Sequence, residues 1–423
     1  MSIDRRRFLA ALGGVTGTAS VLPGHTLWTA VAASSSWAGP DGHPRWALTP
    51  GFVERLPALL ADAGVLGVSI AVAPRGVEGS TGPGSGAVAT AGRQSPNGGP
   101  VETDTLFPAG SLSKPLVATI ALSLHRAGTF DIGRPLAAYI ESDLPEGDGA
   151  GAITARHALE HTTGLPNWRF TSDTPLATTH RPGIAWGYSG EGVILVQRAM
   201  EAVTGIGLEA LARTHVFEPL GMRSSSFLGS PDRAARLAEP HAPGDRFIEY
   251  MLLAQWKSRA LVEWAEGRGA DPARVTIDDA READTEISAL AARMAGREFP
   301  ATDPVPNFLG PNGAGGLTTT AADYLRLVRH WLADDELRGL AFADPVPRSG
   351  GLRWGLGWGM EGAGQAFWHW GEAPGLRALA YGSPDLDGGG GLVVLTTGDR
   401  GLEIAEAAFV DATGTRSEIF DAI

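Results

Sequence analysis

Residues 111–124 read Ser-Leu-Ser-Lys-Pro-Leu-Val-Ala-Thr-Ile-Ala-Leu-Ser-Leu, and the proline in that run fixes where a helix can begin. Pro115 has no amide hydrogen, so it is tolerated only in a helix's first turn. The helix therefore starts near Ser111. Leu116, Val117, Ala118, Ile120, Ala121, Leu122 and Leu124 cover every side of it, so it should be buried.

Two polar residues at that start carry chemistry. Ser111 and Lys114 are three apart, which brings the amine beside the hydroxyl on one helix face. A serine needs a neighbouring base to attack a carbonyl, and a desolvated lysine serves because burial disfavours its ammonium form. The helix N-terminus favours negative charge developing nearby. Lys114 and Lys257 are the only lysines; other basic positions are arginine, which cannot accept a proton. A capping serine beside a snorkelling lysine is the structural alternative, and four residues alone do not separate the two.

Composition narrows the field. Over 423 residues, 43% are hydrophobic and 19% charged, as in a globular chain. A formal net charge of −13 disfavours a nucleic-acid surface. With Cys 0, disulfides, thiolate zinc sites and a cysteine nucleophile are excluded. Gly 58 is high, but without a Gly-x-y period it does not indicate collagen. Arg5-Arg6-Arg7-Phe8-Leu9 precedes a weakly apolar stretch, and Ala30-Val31-Ala32 offers a small-x-small cleavage site. We read a twin-arginine-type signal peptide over 1–32 and a linker over 33–49. The expectation is a periplasmic or extracellular protein that uses the twin-arginine (Tat) export machinery. No later segment is long and apolar enough to span a bilayer.

A helix is expected over 51–64, strands over 67–73 and 86–91, and mostly helix from 116 to about 205. Two more helical stretches, at 247–267 and 276–297, read as a lid over a cleft, a subunit contact or a surface elaboration. Strands return at 366–371, 376–382 and 391–397, with a final helix over 402–410. Strands at both ends around a helical middle predict an α/β fold with one sheet built from both termini. The sheet lobe would cover about 50–104 and 350–410, the helical lobe about 105–349, with a tail over 411–423.

Two further segments matter. Residues 180–192 form a Gly/Pro-rich loop holding Trp186-Gly187-Tyr188-Ser189-Gly190, where Tyr188 can relay a proton beside Lys114 or simply anchor the loop. Phe367-Trp368-His369-Trp370-Gly371-Glu372 reads as a strand whose glycine allows close approach to its backbone.

With these motifs in hand, the chain resembles the serine β-lactamase, penicillin-binding protein and family VIII esterase superfamily. It looks closest to the class C-like branch, which also holds D-aminopeptidases and DD-peptidases. Thr103-Asp104-Thr105-Leu106-Phe107, His161-Thr162-Thr163-Gly164-Leu165-Pro166, Gly315-Gly316-Leu317 and Trp354-Gly355-Leu356-Gly357-Trp358 also fit, in the family's order over most of 50–410. The resemblance implies a β-lactamase/transpeptidase-like fold: an antiparallel sheet packed with helices beside a mostly helical lobe. It implies Ser111 as nucleophile, Lys114 as its base, Tyr188 as the second-motif tyrosine, and His369 with Gly371 as the third motif. The Ser111 and Glu372 backbone amides would form the oxyanion hole. Trp370, Gly371 and Gly190 would border the substrate, and Arg377 would meet a substrate carboxylate. No metal or organic cofactor is implied; the partner is a small ester, amide or peptide.

Two departures tilt the substrate. Gly190 stands where the family commonly has an asparagine, and His369 where it often has a lysine. Losing an amide anchor and a fixed positive charge favours an esterase or small-peptide hydrolase over a β-lactamase. A non-catalytic binder of cell-wall peptides or acyl compounds is the competing function. His157-Ala158-Leu159-Glu160-His161 also spells a metallopeptidase pattern, but it falls in the family's structural stretch before Thr-Gly-Leu-Pro. Trp168, Trp186, Trp354, Trp358, Trp368 and Trp370 lie near the motifs and divide between cleft walls and packing.

Overall fold

Thr49 accepts a hydrogen bond from the Phe52 amide to start helix α1 (Pro50–Ala63), and Gly64, at φ +62°, ends it. The structure is a computed structural model that describes residues 28–29, 46–76, 87–362 and 365–423. The expected export signal lies outside the described residues apart from Trp28 and Thr29, as does most of the linker. The linker ends earlier than its composition suggested. Trp46 is 1% exposed, and its indole nitrogen donates to the Leu386 carbonyl.

The strands are β1 (Trp28–Thr29), β2 (Gly67–Pro74), β3 (Ala87–Gly92), β4 (Phe107–Pro108) and β5 (Thr318–Thr319). They continue with β6 (Val346–Pro347), β7 (Arg353–Trp354), β8 (Gly359–Glu361), β9 (Ala366–Ala373), β10 (Leu376–Ser383) and β11 (Gly390–Thr397). Nine of these form one sheet in the order β1-β3-β2-β11-β10-β9-β8-β7-β6, while β4 and β5 pair separately. Every pairing in the large sheet is antiparallel. The two chain ends meet where β2 lies beside β11, with Val393 opposite Ala71.

Alternation along the central strands sorts side chains by size. Val68, Ile70 and Val72 of β2, with Leu379 and Tyr381 of β10, pack under α1 and the C-terminal helix. Ala71, Ala73, Ala378 and Ala380 face the other way, and these small residues let helices lie close to the sheet. The mostly helical lobe includes α2 (Ser113–Arg126), α3 (Ala155–Leu159), α4 (Gly190–Thr204), α5 (Ile248–Glu266), α6 (Asp284–Ala295) and α7 (Ala321–Ala333), of which α7 packs on that face of the sheet. Every residue of α2 from Ser113 to Leu122 is buried, as its apolar sequence demands.

Helix α5 and the α6 region build a small core of their own, including Leu261, Ala265, Ile287 and Ala291. Lys257 is buried there in an ion pair with Asp284. The stretch expected over 276–297 is divided, a short helix at Ile277–Glu282 preceding α6.

Helix α8 (Gly401–Thr413) runs past its expected end, and the segment after it is no free tail. Ile419 is fully buried in the α1/α8 core, and Ser417 bonds to Glu361. Among the described residues no helix is long and apolar enough to cross a membrane.

Candidate active site

Ser111 sits in a single 3-10 turn, Gly110–Leu112, that feeds directly into α2. The turn is held on several sides. The Ser113 hydroxyl donates to the Gly110 carbonyl at 2.7 Å and accepts from the Leu317 amide at 3.0 Å. Tyr324 of α7 donates to the Leu112 carbonyl at 2.7 Å. Ser111 is therefore fixed by the buried helix, by α7 and by the Gly315-Gly316-Leu317 segment.

Lys114 is 1% exposed, with Nζ 2.8 Å from Ser111 Oγ and 2.6 Å from the Ala314 carbonyl oxygen. Among the described residues no carboxylate pairs with it. Burial alone lowers its pKa to about 7, so near neutrality a large share of the amine is unprotonated. A neutral amine donates one hydrogen to Ala314 and offers its lone pair to the serine. Its other neighbours are aromatic faces: Nζ lies 4.9 Å from the Tyr188 ring centre and 5.6 Å from that of Trp168.

Tyr188 precedes α4, whose cap is the Ser189 side chain. Its hydroxyl is buried and close enough to Ser111 to be influenced by it, yet completes no hydrogen bond among the described residues. Burial raises its pKa above the usual phenol value, so the group is a proton donor and not a phenolate.

Strand β9 brings the third motif against the serine turn. A side-chain carbon on Gly371 would come within 2.2 Å of the Ala109 carbonyl oxygen, and one on Gly110 would sit 3.3 Å from the Glu372 amide nitrogen. This contact brings the Glu372 amide nitrogen against the backbone of Gly110, the residue before Ser111. Gly371 is thus corrected from a substrate-facing to a packing role, making room for the backbone that carries the nucleophile. Gly190 is corrected in the same way, since a side chain there would meet Trp168 at 2.9 Å.

His369 does not reach the cleft. It is fully buried behind Tyr188, its Nδ1 is 2.8 Å from the Trp370 carbonyl oxygen, and its Nε2 has no partner. Burial, then the charge of Lys114, depress its pKa to about 3, so it stays neutral. Arg377 lines the cleft, but its guanidinium is occupied by Glu372, Asp399 and the carbonyls of Ala373 and Leu376. That corrects its expected role at a substrate carboxylate. Of the six tryptophans near the motifs, Trp168 and Trp370 line the cleft; Trp354, Trp358 and Trp368 are fully buried.

The metallopeptidase pattern is also resolved. Helix α3 ends at Leu159, and His161 turns to φ +57°, so the two histidines do not share a helix face. His157 Nδ1 accepts from the Thr154 amide, and His161 Nδ1 accepts from the Ser189 amide.

The cleft beside Ser111 encloses about 930 Å³. Its far wall is helix α5, through Tyr250, Met251 and Ala254, together with Phe247 and Phe308. The sequence left three roles open for that helix; it forms one side of the cleft. Sequence reasoning missed Ala314 and Asn167, although the quoted Gly-Gly-Leu and Thr-Gly-Leu-Pro motifs adjoin them.

This geometry was compared with known proteins. The family model described as beta-lactamase matches residues 52–413. The chain belongs to the beta-lactamase family. Esterase EstB of Burkholderia gladioli is 29% identical over 170 residues, 33% of this chain and 43% of that protein. Penicillin-binding protein 4 of Amycolatopsis lactamdurans is 26% identical over 157 residues, 33% of this chain and 41% of the relative. The chain thus spans less than half the length of either relative. A solved class C beta-lactamase superposes with TM-score 0.61 at 16% identity, covering 87% of this chain and 96% of that one. The β-lactamase/transpeptidase-like fold expected from the motifs is the fold of this family member.

Proposed function

We propose that this protein is a serine hydrolase that forms an acyl-enzyme on Ser111 and acts on esters. The observation that carries the reading is the buried Lys114 amine, without a carboxylate, 2.8 Å from the Ser111 hydroxyl. Ser111 attacks the ester carbonyl carbon while Lys114 takes its proton. The resulting ammonium lies against the Tyr188 and Trp168 rings and the Ala314 carbonyl, which stabilise it without an ion pair. The carbonyl oxygen becomes an oxyanion facing the Ser111 and Glu372 amides. As the carbon–oxygen bond breaks, the leaving alkoxide takes the Tyr188 proton, which Lys114 replaces. Water, deprotonated by the free amine, then releases the acid and restores the serine.

An apolar cleft wall from α5 supports substrates with an aliphatic or aromatic group over small charged ones. The relative named as an esterase supports the ester reading. The test is turnover of p-nitrophenyl butyrate with fluorophosphonate labelling of wild type and Ser111→Ala. Serine-dependent labelling with multiple turnover is expected. Absence of labelling, with retained affinity for acyl compounds, would establish the non-catalytic binder instead.

We further propose export through the twin-arginine pathway to the periplasm or beyond, supported by Arg5-Arg6-Arg7-Phe8-Leu9. Fusing residues 1–40 to a reporter that requires folded export is expected to give arginine-dependent export, lost on Arg→Lys replacement; unchanged export would refute it.

A further inference from the structure

We propose that Trp168 sets this site's preference for esters over amides, an inference that rests on the serine-hydrolase reading above. Its indole fills the space beside Lys114 that a side chain on residue 190 would otherwise take.

The steric part is direct. Gly190 opens helix α4 two residues after Tyr188. A side-chain carbon there would lie 2.9 and 3.0 Å from the Cζ2 and Cη2 atoms of Trp168, and 2.8 Å from the Asn167 carbonyl oxygen. Real side-chain carbons do not approach so closely, so the indole and any side chain at 190 exclude each other.

The backbone that carries Trp168 is held, because both of its neighbours are tied to the same helix turn. The Gly190 and Glu191 amides donate to the Asn167 carbonyl at 3.0 and 3.1 Å, and the Gly190 amide also reaches Asn167 Oδ1 at 3.0 Å. On the other side the Glu191 carboxylate accepts from the Arg169 amide at 2.9 Å and from its guanidinium at 3.3 Å. Asp143 holds the same guanidinium at 3.0 Å. The backbone on either side of the indole is therefore anchored, with the ring centre 5.6 Å from Lys114 Nζ.

The chemical consequence follows from what an indole lacks. Trp168 lines the cleft, and its one polar atom, the ring N–H, is a donor. A secondary amide entering beside the ring loses water from its N–H and receives no acceptor from it in return. An ester has no N–H to strand, and its hydrocarbon or aryl group gains contact with the ring. Residues 167–169 thus act together: Asn167 and Arg169 position, and Trp168 discriminates.

The test compares wild type, Gly190→Asn, Trp168→Ala and the double variant. Three readouts are taken: fluorophosphonate labelling, thermal midpoint, and kcat/KM for p-nitrophenyl butyrate against butyryl p-nitroanilide. Gly190→Asn alone is expected to lower the midpoint and slow labelling. Removing the indole as well should restore both in part, since the approach to the Asn167 carbonyl oxygen remains, and shift the ester-to-anilide ratio toward the anilide by about tenfold or more. Trp168→Ala alone, which introduces no clash, should shift the ratio the same way by admitting water, so the inference stays testable if the double variant does not fold. A wild-type midpoint for Gly190→Asn, or an unchanged ratio in labelled variants lacking the indole, overturns the proposal alone. If wild-type Ser111 fails to label, the serine-hydrolase reading falls and this inference with it.

Discussion

Lys114 Nζ lies 2.8 Å from Ser111 Oγ, buried and without an acidic partner, while the other lysine, Lys257, is buried against Asp284. The contrast shows what the environment decides. Burial lowers the pKa of both amines; beside Lys257 the Asp284 carboxylate opposes it, while the aromatic rings and one carbonyl around Lys114 do not, and that amine loses its proton near neutrality. The second arrangement is costly for a fold and useful for a base.

Tyr188→Phe keeps the ring that faces Lys114 and removes a hydroxyl that completes no hydrogen bond. Its expected outcome is a fall in kcat of about 10²–10⁴-fold, as for loss of a proton-transfer group. The thermal midpoint should hold or rise, because an unpaired buried polar group has been removed. Steady-state kinetics beside calorimetry check both halves; a lower midpoint with unchanged kcat would assign Tyr188 to packing.

Gly371→Ala drives a methyl group into the Ala109 carbonyl, 2.2 Å away in the present geometry. Strand β9 and the serine turn must then separate, taking the Glu372 amide from its place. Labelling of Ser111 should slow about 10²-fold or more, the usual consequence of displacing a reacting group by an ångström. Circular dichroism separates this local loss from unfolding.

Lys257→Met leaves Asp284 buried without its partner, and about 3–5 kcal/mol of stability should be lost. Replacing both residues with hydrophobic ones should recover most of it. Denaturant titration gives the answer, and equal stability of the single and double variants would argue against the pair. Because α5 walls the cleft, the single variant should also weaken binding of bulky esters.

Much of this was legible in the chain. Pro115 placed the helix start within two residues, and the strands read at 366–371, 376–382 and 391–397 fall on β9, β10 and β11. The Ser111, Lys114 and Tyr188 cluster followed from motifs because each is set by local geometry plus a resemblance. What was misread depended on contacts between distant segments. The freedom of Gly371 and Gly190 looked like room for substrate, but Ala109 and Trp168 occupy that room. Arg377 looked available until the fold placed Glu372 and Asp399 beside it. The C-terminal residues looked like a tail because polar neighbours hide Ile419, which only the α1/α8 core reveals as buried.

The pH dependence of Ser111 phosphonylation, measured in wild type and Lys114→Met, tests the proposed base most directly. Since Lys114 must be unprotonated to accept the serine proton, the wild-type rate should rise with pH through about 7 and level off above it. In Lys114→Met the rate should fall by orders of magnitude and lose that inflection. A variant that reacts at the wild-type rate, with the same inflection, would show that the proton goes elsewhere.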